Sequence, residues 1–101
     1  MSKACDIPKA VKNAVWERDQ HCCIFCGSPY AMPNMHYIPR SQGGLGIEQN
    51  IVTACIVCHN NYDNGNDIEQ RRLQKQHMIN YLKSLYPGWD EKKLIYRKGQ
   101  Q

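Results

Sequence analysis

The sequence predicts a small α+β domain, a two-stranded hairpin and short helix flanked by longer helices and stapled through cysteines. Three observations predict it. Two Cys-x-x-Cys pairs, Cys23/Cys26 and Cys55/Cys58, bracket the middle of the chain. Between them and just beyond, Met35 to Asp63 reads as strand, glycine-rich loop, strand and short helix. Apolar residues at helical spacing lie on either side of that stretch. With 101 residues, one domain over 1–101 is expected, its core at about 35–65 and a C-terminal helix and basic tail over 67–101. A chain this short buries a modest share of its surface, so a metal or disulfide staple is the usual supplement.

The first helix is expected over about 8–19. Asp6 can cap it, and Pro8 suits a first turn, where its missing N–H costs nothing. Ile7, Val11, Ala14, Val15 and Arg18 follow helical spacing, and Lys9, Lys12 and Asn13 fall on the outer side, read as a solvated face rather than phosphate contacts. Residues 1–5 read as a loose arm. Pro29 to Asn34 is turn-rich, so a strand is expected over Met35 to Ile38, ended by Pro39. The segment PRSQGGLGIEQN (39–50) suits a compact loop with unusual backbone angles. Ile51 to Ala54 is the strongest strand signal, a short helix over Cys58 to Asn64 follows, and Gly65 stops it. The last long helix runs from Asp67 or Ile68 to Tyr86, with Ile68, Met78, Leu82 and Leu85 on one stripe and Arg71, Arg72 and Lys75 clustered near its start. Pro87-Gly88 breaks it. Trp89 to Lys98 is expected to add a turn and an extended basic tail, with Trp89, Leu94 and Tyr96 packed onto the domain.

Six cysteines, no signal peptide and two knuckle spacings argue for a metal site in a reducing cytoplasm rather than a secreted disulfide framework. Four thiolates from Cys23, Cys26, Cys55 and Cys58 would close a tetrahedral Zn²⁺ site, structural because no position stays open for water. Gly27 permits the tight turn around the metal. Cys22-x3-Cys26 is also an allowed spacing, which leaves Cys22 as an alternative ligand. A redox dithiol would be expected near a βαβ pattern, which is absent. No apolar run approaches the roughly 20 residues of a membrane span. The net charge of +4 favours a nucleic-acid partner without specifying one.

The motifs PRSQGG…NIVTAC…CHN, with the preceding WERDQHCCIFCG, resemble HNH endonucleases. The resemblance implies a ββα-metal finger carrying a zinc-knuckle staple and flanking N- and C-terminal helices, and cleavage of phosphodiester bonds in double-stranded DNA. It casts His36 as general base, Asn50 as the residue that braces it across the loop, and His59 as ligand of a catalytic Mg²⁺, Mn²⁺ or Ni²⁺. Asp63 lies four residues after His59 and so on the same helix face, and the resemblance implies a further ligand of that ion there. Arg40 fits a phosphate clamp, and Arg71, Arg72 and Lys75 a DNA track that is equally readable as a solvated face. The tail YLKSLYPGWDEKKLIYRK resembles small phage-type members, which implies DNA packaging beside phage terminase or portal proteins in a bacterial host cell.

One position departs from the family pattern. Met35 stands where an acidic or His ligand is usual, and a thioether is a poor ligand for a hard cation. That departure keeps a second reading open, a zinc-stabilised DNA-binding or adaptor module with weakened or lost cleavage. A zinc ribbon with no nucleic-acid role would leave His36, Asn50 and His59 unexplained.

Overall fold

The computed structural model describes residues 3–96; Met1, Ser2 and the end of the expected basic tail, Arg97 to Gln101, lie outside the described residues. Helix α1 (Lys9–Arg18) leads, strands β1 (Ala31–His36) and β2 (Ile51–Cys55) form an antiparallel pair, and helices α2 (Ile56–Asn64) and α3 (Ile68–Leu85) follow. Short 3-10 turns occupy Lys3–Cys5, Arg40–Gln42, Glu48–Asn50 and Glu91–Leu94. This is the mixed architecture expected of a ββα finger between flanking helices.

Several boundaries differ from the expectation. The cap position of α1 is Pro8, with no side-chain hydrogen bond, and Asp6 pairs with Arg40 instead. Residues 3–5 form a turn in which Cys5 is buried, not a loose arm. Strand β1 starts four residues early because the Pro33 region is absorbed by a bulge: Met32 faces Ala54 and Met35 faces Val52, three steps against two. Such a bulge is where a strand tolerates a residue that cannot donate to the ladder. Helix α2 also starts early, at Ile56, since the Cys55 thiol accepts from the Cys58 N–H and serves as its cap.

Burial explains the remaining choices. All five residues of β2 are buried, as its β-branched composition predicts. Met35, Tyr37, Val52, Ala54, Met78, Leu82 and Leu94 pack with Cys23 and Cys55 into one core, and Trp89 lies against it. Ile68 and Leu85 leave the expected stripe and are exposed; Gln74 takes the inward position, bonding the Asn61 amide and the Cys58 carbonyl. Tyr96 is exposed rather than packed.

A buried ion pair locks α1 to the hairpin and to α3. The Asp19 carboxylate accepts from Arg18 Nε (2.7 Å) and Nη2 (3.0 Å), from the Thr53 N–H (2.8 Å) and from the Tyr81 hydroxyl (2.6 Å). Arg18 spends its other donors on the Glu48 and Ile51 carbonyls and on the Tyr86 hydroxyl. Burial opposes its charge, but the bonds to Asp19 and Tyr86 outweigh that and raise its pKa.

Candidate active site and metal centre

The two knuckles meet. The thiols of Cys23, Cys26, Cys55 and Cys58 all lie within 4.8 Å of one another, and Cys26 and Cys55 are 3.7 Å apart. Zinc–thiolate bonds of about 2.3 Å in a tetrahedron put neighbouring sulfurs about 3.8 Å apart, so this donor set and spacing fit zinc. Gly27 turns the first knuckle with φ +78°, an angle that disfavours any side chain. Cys22 is not in the cluster; its thiol donates to the Asp19 carbonyl, which closes the alternative left open by spacing. Burial resists ionisation of Cys23, but N–H groups of Cys55, Cys26 and Phe25 outweigh it and bring that thiol to about 7. Cys55, which caps α2, and Cys58, one residue before His59, tie the start of α2 to this cluster.

Beside this centre opens a cleft of about 1230 Å³, lined by the end of β1, the loop after it, one face of α2 and the start of α3. His36, Arg40, His59, Asp63, Arg71, Arg72 and Lys75 all line it. Residues far apart in sequence thus share one concave surface.

His36 ends β1, and its Nε2 lies 3.0 Å from the Cys5 carbonyl oxygen. A carbonyl only accepts, so Nε2 carries the proton and the lone pair is left on Nδ1. Burial, the largest influence, holds the ring below its usual 6.5 against the pull of that carbonyl, and Arg40 lowers it further. The imidazole is therefore neutral at pH 7.

Asn50 is fully buried, and its amide spans the loop: Oδ1 accepts from the Ile38 N–H (2.8 Å), while Nδ2 donates to the Ile38 (3.2 Å) and Leu45 (2.8 Å) carbonyls. Its own carbonyl accepts from the Tyr37 N–H at 2.7 Å. Three of these four bonds grip Tyr37 and Ile38, one and two residues beyond His36, and the fourth holds Leu45 across the loop, so Asn50 braces the backbone beside His36 rather than its ring. One turn apart on α2, His59 Nε2 and Asp63 Oδ2 are 3.0 Å apart. At that distance the two groups pair directly, and it is also the spacing of adjacent ligands around an octahedral ion with bonds of about 2.1 Å, so the residues present fit two positions of a divalent cation.

The basic residues differ in their freedom. Arg40 Nη2 is bound by Asp6 at 2.6 Å, Arg71 Nε donates to the Tyr62 carbonyl at 2.9 Å, and Arg72 pairs with Glu69. Lys12 is exposed, as its reading as a solvated face expects, and it also lines the cleft. Met35 does not line it; the side chain is fully buried in the core, on the opposite side of β1 from His36. Sequence reasoning missed Cys5, Asp6 and Glu91. The first two reach the site through contacts with no local signature. Glu91 comes from the C-terminal turn and accepts from the buried Tyr37 hydroxyl.

Residues 23–65 match the family model described as HNH endonuclease. Over 58 residues the chain is 36% identical to Anaredoxin from Nostoc sp. (strain PCC 7120 / SAG 25.82 / UTEX 2576), a stretch covering 56% of this chain and 71% of that protein. No solved structure matches. The matched span runs from the first knuckle to the end of α2 and so contains the thiol cluster, His36, Asn50, His59 and Asp63. With both knuckles closed on one another and the hairpin and helix between and beyond them folded as that family requires, the chain belongs to the HNH endonuclease family.

Proposed function

We propose that this protein is a metal-dependent endonuclease that nicks or cuts double-stranded DNA, working as one HNH unit over 1–101 in a cytoplasmic setting. The observation that carries this reading is the gathering of His36, Arg40, His59 and Asp63 along a single cleft with basic side chains on both walls. His36, neutral and with its lone pair on Nδ1, takes the proton from the attacking water. Asn50 holds the loop that follows His36, and so keeps the end of β1 in place. His59 and Asp63 would hold a Mg²⁺, Mn²⁺ or Ni²⁺ ion, which supplies charge on the phosphate oxygens and stabilises the leaving 3′ oxygen. Arg40 clamps the phosphate beside the cut, while Arg71, Arg72, Lys75 and Lys12 track the flanking backbone. Zinc at the four thiols keeps the start of α2 rigid in a domain with little other core.

Supercoiled plasmid incubated with the zinc-loaded protein should become open-circular with at least one of Mg²⁺, Mn²⁺ or Ni²⁺, and stay intact with excess chelator for that ion. Plasmid left intact under all three contradicts the reading.

Burial of Met35 favours a second reading. The place of the usual third protein ligand is turned into the core, which fits a zinc-stabilised DNA-binding or adaptor module whose cleavage has been lost. Salt-dependent duplex binding without cleavage under any divalent ion would select it. Work beside a phage terminase or portal protein rests on the resemblance of the tail alone.

A further inference from the structure

The N-terminal turn touches two of the cleft's side chains at once. The Cys5 carbonyl meets His36 Nε2 at 3.0 Å, and one residue later the Asp6 carboxylate meets Arg40 Nη2 at 2.6 Å. The turn itself is fastened. The Asp6 N–H bonds the Lys3 carbonyl, the Gly46 N–H bonds the Ala4 carbonyl at 2.9 Å, and Cys5 is 1% exposed. Gly46 approaches so closely that a Cβ there would fall 2.0 Å from the Asp6 carbonyl oxygen. Glycine is therefore required at 46 for the turn to dock.

From this juxtaposition we infer that residues 3–6 are a positioning element of the active site: Cys5, through its backbone, selects the His36 tautomer, and Asp6 aims the Arg40 fork. The proposal rests on the nuclease reading of the same cleft. Without the Cys5 carbonyl, the two neutral tautomers of a histidine interconvert, and the fraction with its lone pair on Nδ1 falls. Without Asp6, Arg40 loses the partner that fixes one of its two terminal nitrogens, leaving the other free to wander from the phosphate. An element outside the 23–65 family span thus sets the geometry of two residues inside it.

The test uses the full-length, zinc-loaded chain labelled with ¹⁵N and read by long-range ¹H–¹⁵N correlation of the histidine rings at neutral pH. In the parent, His36 should show one tautomer, protonated on Nε2. Gly46→Ala, which wedges a methyl against Asp6, should turn that signal into a tautomer mixture and cut kcat for plasmid nicking by about tenfold or more, a part of the 10²–10⁴ that a general base contributes. Asp6→Asn should leave the tautomer alone and slow nicking about two- to fivefold, the scale of an exposed ion pair, with Asp6→Glu restoring it. Should Gly46→Ala fail to fold, the parent's tautomer and the Asp6 pair still decide. A parent protonated on Nδ1, a Gly46→Ala protein with displaced turn but parental tautomer and rate, or Asp6→Asn nicking at the parental rate overturns the proposal. A parent that never nicks DNA defeats the nuclease reading, while the tautomer data still judge the docking of the turn.

Discussion

His59 Nε2 and Asp63 Oδ2 lie 3.0 Å apart on one face of α2, four residues from each other and directly beyond the cysteine that anchors the helix. The pair is partly exposed, so neither group is committed to the core. Removing either should cost the ion and not the fold. Asp63→Ala is expected to weaken Mn²⁺ binding by more than about tenfold, the lower end of what disturbing even a ligand's partner costs. Calorimetric titration of the zinc-loaded protein checks this, with thermal unfolding as the control for an unchanged fold.

Zinc removal should have the opposite signature. Each chain is expected to hold one equivalent, and strong chelation should unfold the protein, since apparent binding free energies of roughly 10–16 kcal/mol exceed the stability of a domain this small. Cys58→Ser should fail to fold, whereas Cys22→Ser should keep full zinc content because its thiol faces the Asp19 carbonyl. Metal analysis with circular dichroism measures both.

Asn50 offers a sharper probe of the loop. In Asn50→Asp, two acceptor oxygens replace an amide whose nitrogen donates to the Ile38 and Leu45 carbonyls. Leaving those buried acceptors unpaired and facing a carboxylate should destabilise the protein by about 1–3 kcal/mol or more. Nicking should fall along with it, since the loop begins beside His36. Urea denaturation gives the first quantity and the plasmid assay the second.

Asp19 carries the fold at a distance from the chemistry. Four hydrogen bonds converge on its carboxylate, one of them from the backbone of β2. Asp19→Asn leaves the Arg18 guanidinium partly buried without its counter-charge, so a loss of about 3–5 kcal/mol is expected. A midpoint in urea unchanged from the parent would show that the network contributes little.

Much of this was legible in residue order because the signals are local. Ile51 to Ala54 reads as a buried strand from its β-branching, and it is one. The two Cys-x-x-Cys spacings foretell the knuckles, and the apolar hairpin between them foretells their meeting. What stayed hidden depends on contacts across the chain. Pro33 reads as part of a turn because the bulge that shelters it exists only once Met32 and Met35 have paired with Ala54 and Val52. Lys12 reads as solvated and is exposed, but nothing local says that the cleft reaches α1. Cys5 reaches His36 through a backbone carbonyl, a group every residue possesses, so no side-chain pattern can announce it. Met35 looked like a vacant ligand slot; its burial makes it a core residue, and Met35→Asp would introduce an unpaired carboxylate there rather than a ligand.

The most direct test is the rate at which His36→Ala nicks supercoiled plasmid beside the parent, under the divalent ion that best supports the parent. With His36 as the base, the rate should drop by about 10²–10⁴, with zinc content and the unfolding midpoint held. A His36→Ala protein that nicks as fast as the parent would contradict the account.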